Sequence, residues 1–142
     1  MKKTLFCLII AMVVLTDQVK AANYTDNGNL TLTDNETTFM WQQQDDNTTR
    51  TWEEAIVYCE ALDLGGHSDW RLPNYKELKS IVDYSAANPS INSTAFPGTD
   101  ASDYWTSTTY AGSTSNAWLV SFNNGYVSPY YKSSKYYVRC VR

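Results

Sequence analysis

The chain has 142 residues, with 15 acidic side chains, 11 basic ones and one histidine, a formal net charge of −4 and a sequence pI near 4.8. That length is about one domain with one hydrophobic core. The acidic balance repels phosphate and sulfate backbones, which sets nucleic acid aside as a default partner.

At the N-terminus, Lys2 and Lys3 precede an unbroken apolar run from Leu5 to Leu15 that ends at Thr16, Asp17 and Gln18. This pattern reads as a secretory signal peptide over residues 1–21, with Val19 and Ala21 at the small-residue cleavage positions. The run is too short to cross a bilayer core of about 30 Å, which takes roughly 20 helical residues, so the protein is expected not to span a membrane. The remaining domain, residues 22–142, is then secreted, periplasmic or held at the cell surface. Loss of Lys2, Lys3 and Lys20 against Asp17 makes it more acidic still.

Residues 24–44 alternate turn chemistry with strand formers: Asn27-Gly28 marks a tight turn, and Leu30 and Leu32 alternate ahead of Phe39-Met40-Trp41. The pattern predicts an antiparallel hairpin. A polar loop covers 45–49, and Thr51 with Glu54 then forms a capping box. Behind it Trp52, Ala55, Ile56, Cys59 and Leu62 recur at helical spacing, predicting a first helix that points Cys59 inward and ends at Gly65-Gly66. Asn74 and Glu77 repeat the start signal, predicting a second helix over 75–83. Residues 84–103 carry Pro89, Pro97 and Gly98 without periodicity; so long a structureless stretch in a small domain is often functional. Strands are expected over 104–108 and 117–122, from Tyr126 after an Asn123-Asn124-Gly125 turn, and over 136–141.

Cys7 leaves with the signal, so Cys59 and Cys140 remain. An even pair in an exported chain favours a disulfide, whereas a metal site calls for three or four Cys/His ligands; two free thiols are the alternative. Bridged, the pair staples the first helix to the last strand and takes both sulfurs out of redox and nucleophilic chemistry.

The order hairpin, two helices, irregular stretch and antiparallel strands resembles the C-type-lectin-like fold, an α+β arrangement with two helices packed on antiparallel sheet and the N- and C-terminal parts joined by a disulfide. Motifs sharpen the likeness: Trp41-Gln42-Gln43, Trp52-x-x-Ala55-x-x-x-Cys59, Gly65-Gly66-His67-Ser68-Asp69-Trp70-Arg71-Leu72-Pro73-Asn74-x-x-Glu77-Leu78, Tyr104-Trp105-x-Ser107 and Val138-Arg139-Cys140-Val141-Arg142 occur in order. Together they resemble the Lcl C-terminal domain family over residues 30–142. The resemblance implies export and a surface or extracellular binding role, with glycan adhesion for some members, and does not imply an enzyme. It suggests sulfated polysaccharide for the adhesin that names the family. Here the one basic concentration is Lys132, Lys135, Arg139 and Arg142, and no collagen-like repeat accompanies it. Trp52, Asp69, Trp70, Arg71, Pro73 and Trp105 are expected to be structural motif residues.

The C-terminal third is rich in Tyr, Ser and Asn, the chemistry of antibody paratopes, where Tyr supplies amphipathic contact area at low entropy cost. The sequence from Ala117 to Arg142 also resembles the variable terminus of proteins diversified by retroelements. Leu119, Ser121, Tyr126, Ser128, Tyr130, Tyr131, Ser133, Ser134 and Tyr136 are then the candidate ligand contacts, and the partner is a glycan or a cell-surface or phage protein. The bland reading is a tyrosine-rich solvent-facing sheet.

Catalysis finds little support. His67, Ser68 and Asp69 are consecutive, so their side chains diverge and cannot form a relay. The rival classes are a secreted enzyme of the formylglycine-generating-enzyme-like fold and a structural envelope protein. No metal site is expected, and no cofactor beyond a structural Ca²⁺ in the long loop, where Thr99, Asp100, Ser102 and Asp103 offer oxygens.

Overall fold

The alternation near the N-terminus becomes three strands, β1 (Tyr24–Asp26), β2 (Thr31–Asp34) and β3 (Met40–Gln42), in a computed structural model that describes residues 23–142. The expected signal peptide and Cys7 lie outside the described residues. Asp26 Oδ1 accepts the Gly28 N–H at 2.8 Å, and Gly28, at φ 72°, lets the chain reverse where a side chain would be strained. The strands pair antiparallel in the order β1-β2-β3, so the expected hairpin is a three-stranded meander. Leu32 and Trp41 face each other across β2 and β3, both buried.

Helix α1 (Trp52–Glu60) starts at the Thr51–Glu54 capping box and buries Ala55 and Cys59, as its spacing demands. It ends at Ala61, ahead of the glycine pair. Gly65 and Gly66, at φ 62° and 81°, instead turn a tight corner in which Leu64 and His67 exchange backbone hydrogen bonds of 3.0 and 3.1 Å. Helix α2 (Tyr75–Ser80) has the second capping box, Asn74 with Glu77, and stops at Ile81, short of the expected 83. Its Leu78, with Ile81, enters the core.

Strands β4 (Asp103–Thr109), β5 (Asn116–Ser121) and β6 (Val127–Tyr131) form a second antiparallel sheet in that order. The fold is therefore mixed helix and sheet, with two antiparallel sheets and two helices among the described residues. None of these helices is long and apolar enough to cross a membrane.

Residues 136–141 were expected to be one strand and are not, because the backbone groups of this terminal segment change partner every residue or two. Tyr136 exchanges bonds with Arg50, Tyr137 bonds Asp103 and Trp105 on β4, and the Cys140 carbonyl accepts from Gln42. Val141 exchanges bonds with Arg71, and Arg142 with Met40. One extended segment thus ties β3, the Asp-Trp-Arg-Leu-Pro loop, the approach to α1 and β4 together. The disulfide Cys59–Cys140 adds α1 to the tie, with Cα atoms 5.5 Å apart and a separation of 81 residues.

The motif residues make contacts within the fold. Trp52 Nε1 donates to the Thr106 carbonyl at 2.9 Å and Trp105 Nε1 to the Arg50 carbonyl at 2.8 Å. Trp70 Nε1 reaches the carbonyls of Leu64 and His67, closing the glycine corner. Arg71 pairs with the Glu77 carboxylate and Asp69 with Arg142, while the buried Pro73 accepts the Ser107 N–H at 2.8 Å. The 84–103 stretch, expected as an open loop, packs its Ile91 and Phe96 into the core beside Leu32 and Tyr104. Its periodicity is absent because it sends single side chains inward from turns.

Replacing Cys59 and Cys140 together by Ala is expected to lower unfolding free energy by about 3–5 kcal/mol, since the bridge closes a long loop in the unfolded chain. Urea denaturation under non-reducing conditions measures it; an unchanged midpoint would remove the tie from the account of stability.

Candidate functional site

The hydrogen-bond register decides which tyrosines share a face. Leu119 pairs with Ser128 and Ala117 with Tyr130, while Ser121 donates to the Tyr126 carbonyl at 2.8 Å. Since side chains alternate along a strand, Tyr126, Ser128 and Tyr130 stand on one face with Ser121, and Pro129 and Tyr131 point to the other. Tyr126 and Tyr130 are 74% and 47% exposed. Tyr136 braces the row from below, its ring edge-on to Tyr130 at 5.5 Å and to Trp105 at 5.1 Å. This row is a sheet surface rather than a cavity, and two grooves elsewhere on the molecule share no residue with it.

Three of the expected contacts fall differently. Leu119 is 1% exposed: it stands opposite Ser128 on the same face but is covered by the core cluster, so it presents nothing to a ligand. Tyr131, though exposed, faces away from Tyr130. Ser134 turns the chain after β6 by donating its N–H to the Tyr131 carbonyl, leaving it half-buried beside the exposed Ser133 at the end of the row. The sequence spacing contained the alternation of β6, but the start of the strand was needed to apply it.

Three of the four residues in the expected basic concentration are engaged within the fold. Lys132 lies over the Trp52 ring at 3.8 Å and donates to Thr109 Oγ1, Arg142 holds Asp69, and Arg139 is wholly buried. Arg139 donates through Nη1 to the carbonyls of Gln42 and Gln43, at 2.8 and 2.6 Å, and through Nη2 to Asp45 Oδ2 at 3.0 Å and Thr99 Oγ1 at 2.7 Å. The Tyr104 hydroxyl donates to the same Asp45 oxygen at 2.8 Å and accepts the Asp100 N–H. Burial pulls the Arg139 pKa below its ordinary value, with Asp45 opposing, and pushes the Tyr104 phenol well above its own. An isolated guanidinium there would be prohibitively desolvated, so the pair and the hydrogen bonds around it stand or fall together.

This network went unread in the sequence. The available signal was a charged residue between Val138 and Cys140, where a strand in the core would ordinarily be apolar. Of the oxygens considered for Ca²⁺, that of Thr99 is drawn into it: Thr99 Oγ1 accepts from Arg139 and donates to the Phe96 carbonyl. Among the described residues, no three His, Cys, Asp or Glu side chains gather as a metal site. In the His67-Ser68-Asp69 string, hydrogen bonds from Arg142 hold the Asp69 carboxyl below the usual range.

Asp45→Asn is expected to cost about 3–5 kcal/mol by leaving Arg139 buried without its counter-charge. The double change Asp45→Leu with Arg139→Met should cost clearly less than the sum of the two single changes, a coupling that a double-mutant cycle by denaturation measures.

Alkaline pH probes the row itself. Burial first, then Tyr130 and Asp103, push the Tyr136 phenol up to about 12 from 10.0. A raised folded-state value favours the neutral phenol, so this contribution is complete below pH 10 and is lost as pH climbs through 12. Denaturation midpoints should fall across that window, and fall less for Tyr136→Phe; an identical fall in both proteins would contradict it.

The Lcl C-terminal domain is a family that matches this sequence, over residues 30–142. No curated protein matches the chain.

Proposed function

The chain belongs to the Lcl C-terminal domain family, and from that premise we propose that it is an exported, non-catalytic binding domain of C-type-lectin-like fold. It recognises a glycan, or a protein on a cell or phage surface, through Ser121, Tyr126, Ser128, Tyr130 and Tyr136. The observation that carries this reading is the row of exposed tyrosines on β6, braced by Tyr136 against the buried Trp105. Rigid, amphipathic side chains lose little entropy on contact, and the serines between them adapt their hydrogen bonds to what they meet.

Export by a signal peptide over residues 1–21 agrees with a disulfide that persists in oxidising compartments. The location is then secreted, periplasmic or at the cell surface. An exposed row on a braced scaffold also suits diversification, because Tyr126, Ser128 and Tyr130 are exposed and belong to neither core cluster. The rival enzyme reading, by likeness to formylglycine-generating enzymes, needs reactive cysteines, whereas Cys59 and Cys140 are joined. An envelope component with no ligand is the other rival.

A glycan and surface-protein array probed with the purified chain tests the proposal. Tyr126→Ala with Tyr130→Ala should weaken binding to any array partner by at least about tenfold, given the weight of aromatic anchors in binding, while the thermal transition shifts little. A double variant that binds as well as the parent would overturn the reading.

A further inference from the structure

One carboxylate shares the face of the tyrosine row. Asp103 stands opposite Ser121 across β4 and β5, as Trp105 stands opposite Leu119, and alternation along the strands sends all four side chains to one side of the sheet. Ser121 in turn donates its N–H to the Tyr126 carbonyl, so Asp103, Ser121 and Tyr126 cross the sheet at one level. Opposed Cβ atoms on such a face are about 5 Å apart, which leaves Asp103 and Tyr126 roughly 10 Å apart with a small hydroxyl residue between them. Tyr136 bounds the same area: burial first, then Tyr130 and the negative charge of Asp103, raise its phenol to about 12. Asp103 is partly exposed, and none of the ion pairs among the described residues includes it. Of the basic residues nearest Tyr136, Arg50 is bound to Asp46 and Lys135 lies in the field of Glu54.

Three tyrosine rings and a carboxylate in no ion pair disfavour sulfate or phosphate, which would approach like charge, and favour a cation. A guanidinium fits such a surface: it is planar and weakly hydrated, lies flat on an aromatic ring, and carries a fork of donors that matches a carboxylate. Resting on the reading of the row as a binding surface, we infer that it recognises an arginine side chain of a protein partner, with Asp103 accepting from the guanidinium and the Tyr126 and Tyr136 rings lying against it. Asp103 is then the residue that sets the charge preference of the face. It stands on β4, outside the Ala117–Arg142 segment, so this preference persists when residues of the row are exchanged. The inference gives the face the opposite charge preference from a sulfated-polysaccharide binder and favours a protein ligand over a glycan.

Amide NMR titration of the purified chain with Nα-acetyl-arginine methylamide, with its citrulline counterpart and with glucose 6-sulfate tests it. Citrulline keeps the length and planar head of arginine without the charge. The arginine compound should give saturable shifts at Asp103, Ser121, Tyr126 and Tyr136, and the citrulline compound should bind at least about fivefold more weakly, the scale of a cation–π contact together with an exposed ion pair. Asp103→Asn, a near-isosteric change at a partly exposed position, should weaken arginine binding about threefold while the rest of the spectrum stays in place. Equal affinity for the arginine and citrulline compounds, tighter binding of glucose 6-sulfate, an Asp103→Asn variant that binds arginine as well as the parent, or no saturable shift with any probe would each defeat the inference. The row as a binding surface is decided separately: an array partner lost by the Tyr126→Ala, Tyr130→Ala variant but kept in full by Asp103→Asn leaves the row standing and removes the arginine preference alone.

Discussion

Residues 136–142 bond β3, Arg50 before α1, Arg71 and β4, and these backbone hydrogen bonds, with the Cys59–Cys140 bridge, hold the two sheets in one relation. The sheets have no common ladder, and each is only three strands wide. Three strands are about the fewest that hold together alone, and then only with a hydrophobic face to bury. The terminal segment contributes to that burial: it bonds β3 and β4 in passing and brings Val138, Cys140 and Val141 into the cores on either side. The covalent link then acts on the unfolded chain, by removing conformations in which α1 and the terminus are far apart.

Threading one segment through the middle of a domain leaves a difficulty that Arg139 both creates and resolves. Successive residues of an extended chain point to opposite sides, and with Val138 and Cys140 in one core cluster, Arg139 is directed toward Phe96, whose ring it overlies at 5.0 Å. There the guanidinium collects carbonyls from the end of β3, the Asp45 carboxylate and a hydroxyl from the 84–103 stretch. Only a planar group with several donors in fixed directions satisfies that many acceptors at once. Asp45 gains a second donor from Tyr104, which anchors β4 to the same cluster. The ordering of the irregular stretch, the exit of β3 and the placement of β4 therefore share one electrostatic centre.

Rigidity in this frame bears on the tyrosine row as a candidate surface. Behind the tyrosine row, Trp105 is hydrogen-bonded to the Arg50 carbonyl and packed on Tyr136, so the row stands on side chains with little freedom left to lose. Pro129 occupies an outward-facing position on β6, the edge strand, since it is Tyr126, Ser128 and Tyr130 that face β5 with their backbone groups. Without an N–H it interrupts the edge, so the strand can display aromatic side chains without inviting another strand to pair there.

Much of this protein was legible in one dimension because it rests on local rules. Both capping boxes, the inward face of α1, the tight turns at Gly28 and Gly125 and the three strands of the second sheet follow from short-range chemistry, and with one pair of cysteines left the disulfide had a single partner choice. Helix ends were less legible, since the helices stop at Ala61 and Ile81 with no glycine there to mark the end. What only the tertiary structure decided involves contacts between distant residues: that Arg139 is buried against Asp45, 94 positions away, that 136–142 serves several partners in turn, that Leu119 is buried opposite Ser128, and that Tyr131 faces away from the tyrosine row. The physical reason is common to all four. Charge, aromatic content and alternation state what a side chain prefers, but which preference is satisfied depends on what arrives opposite it when the chain closes.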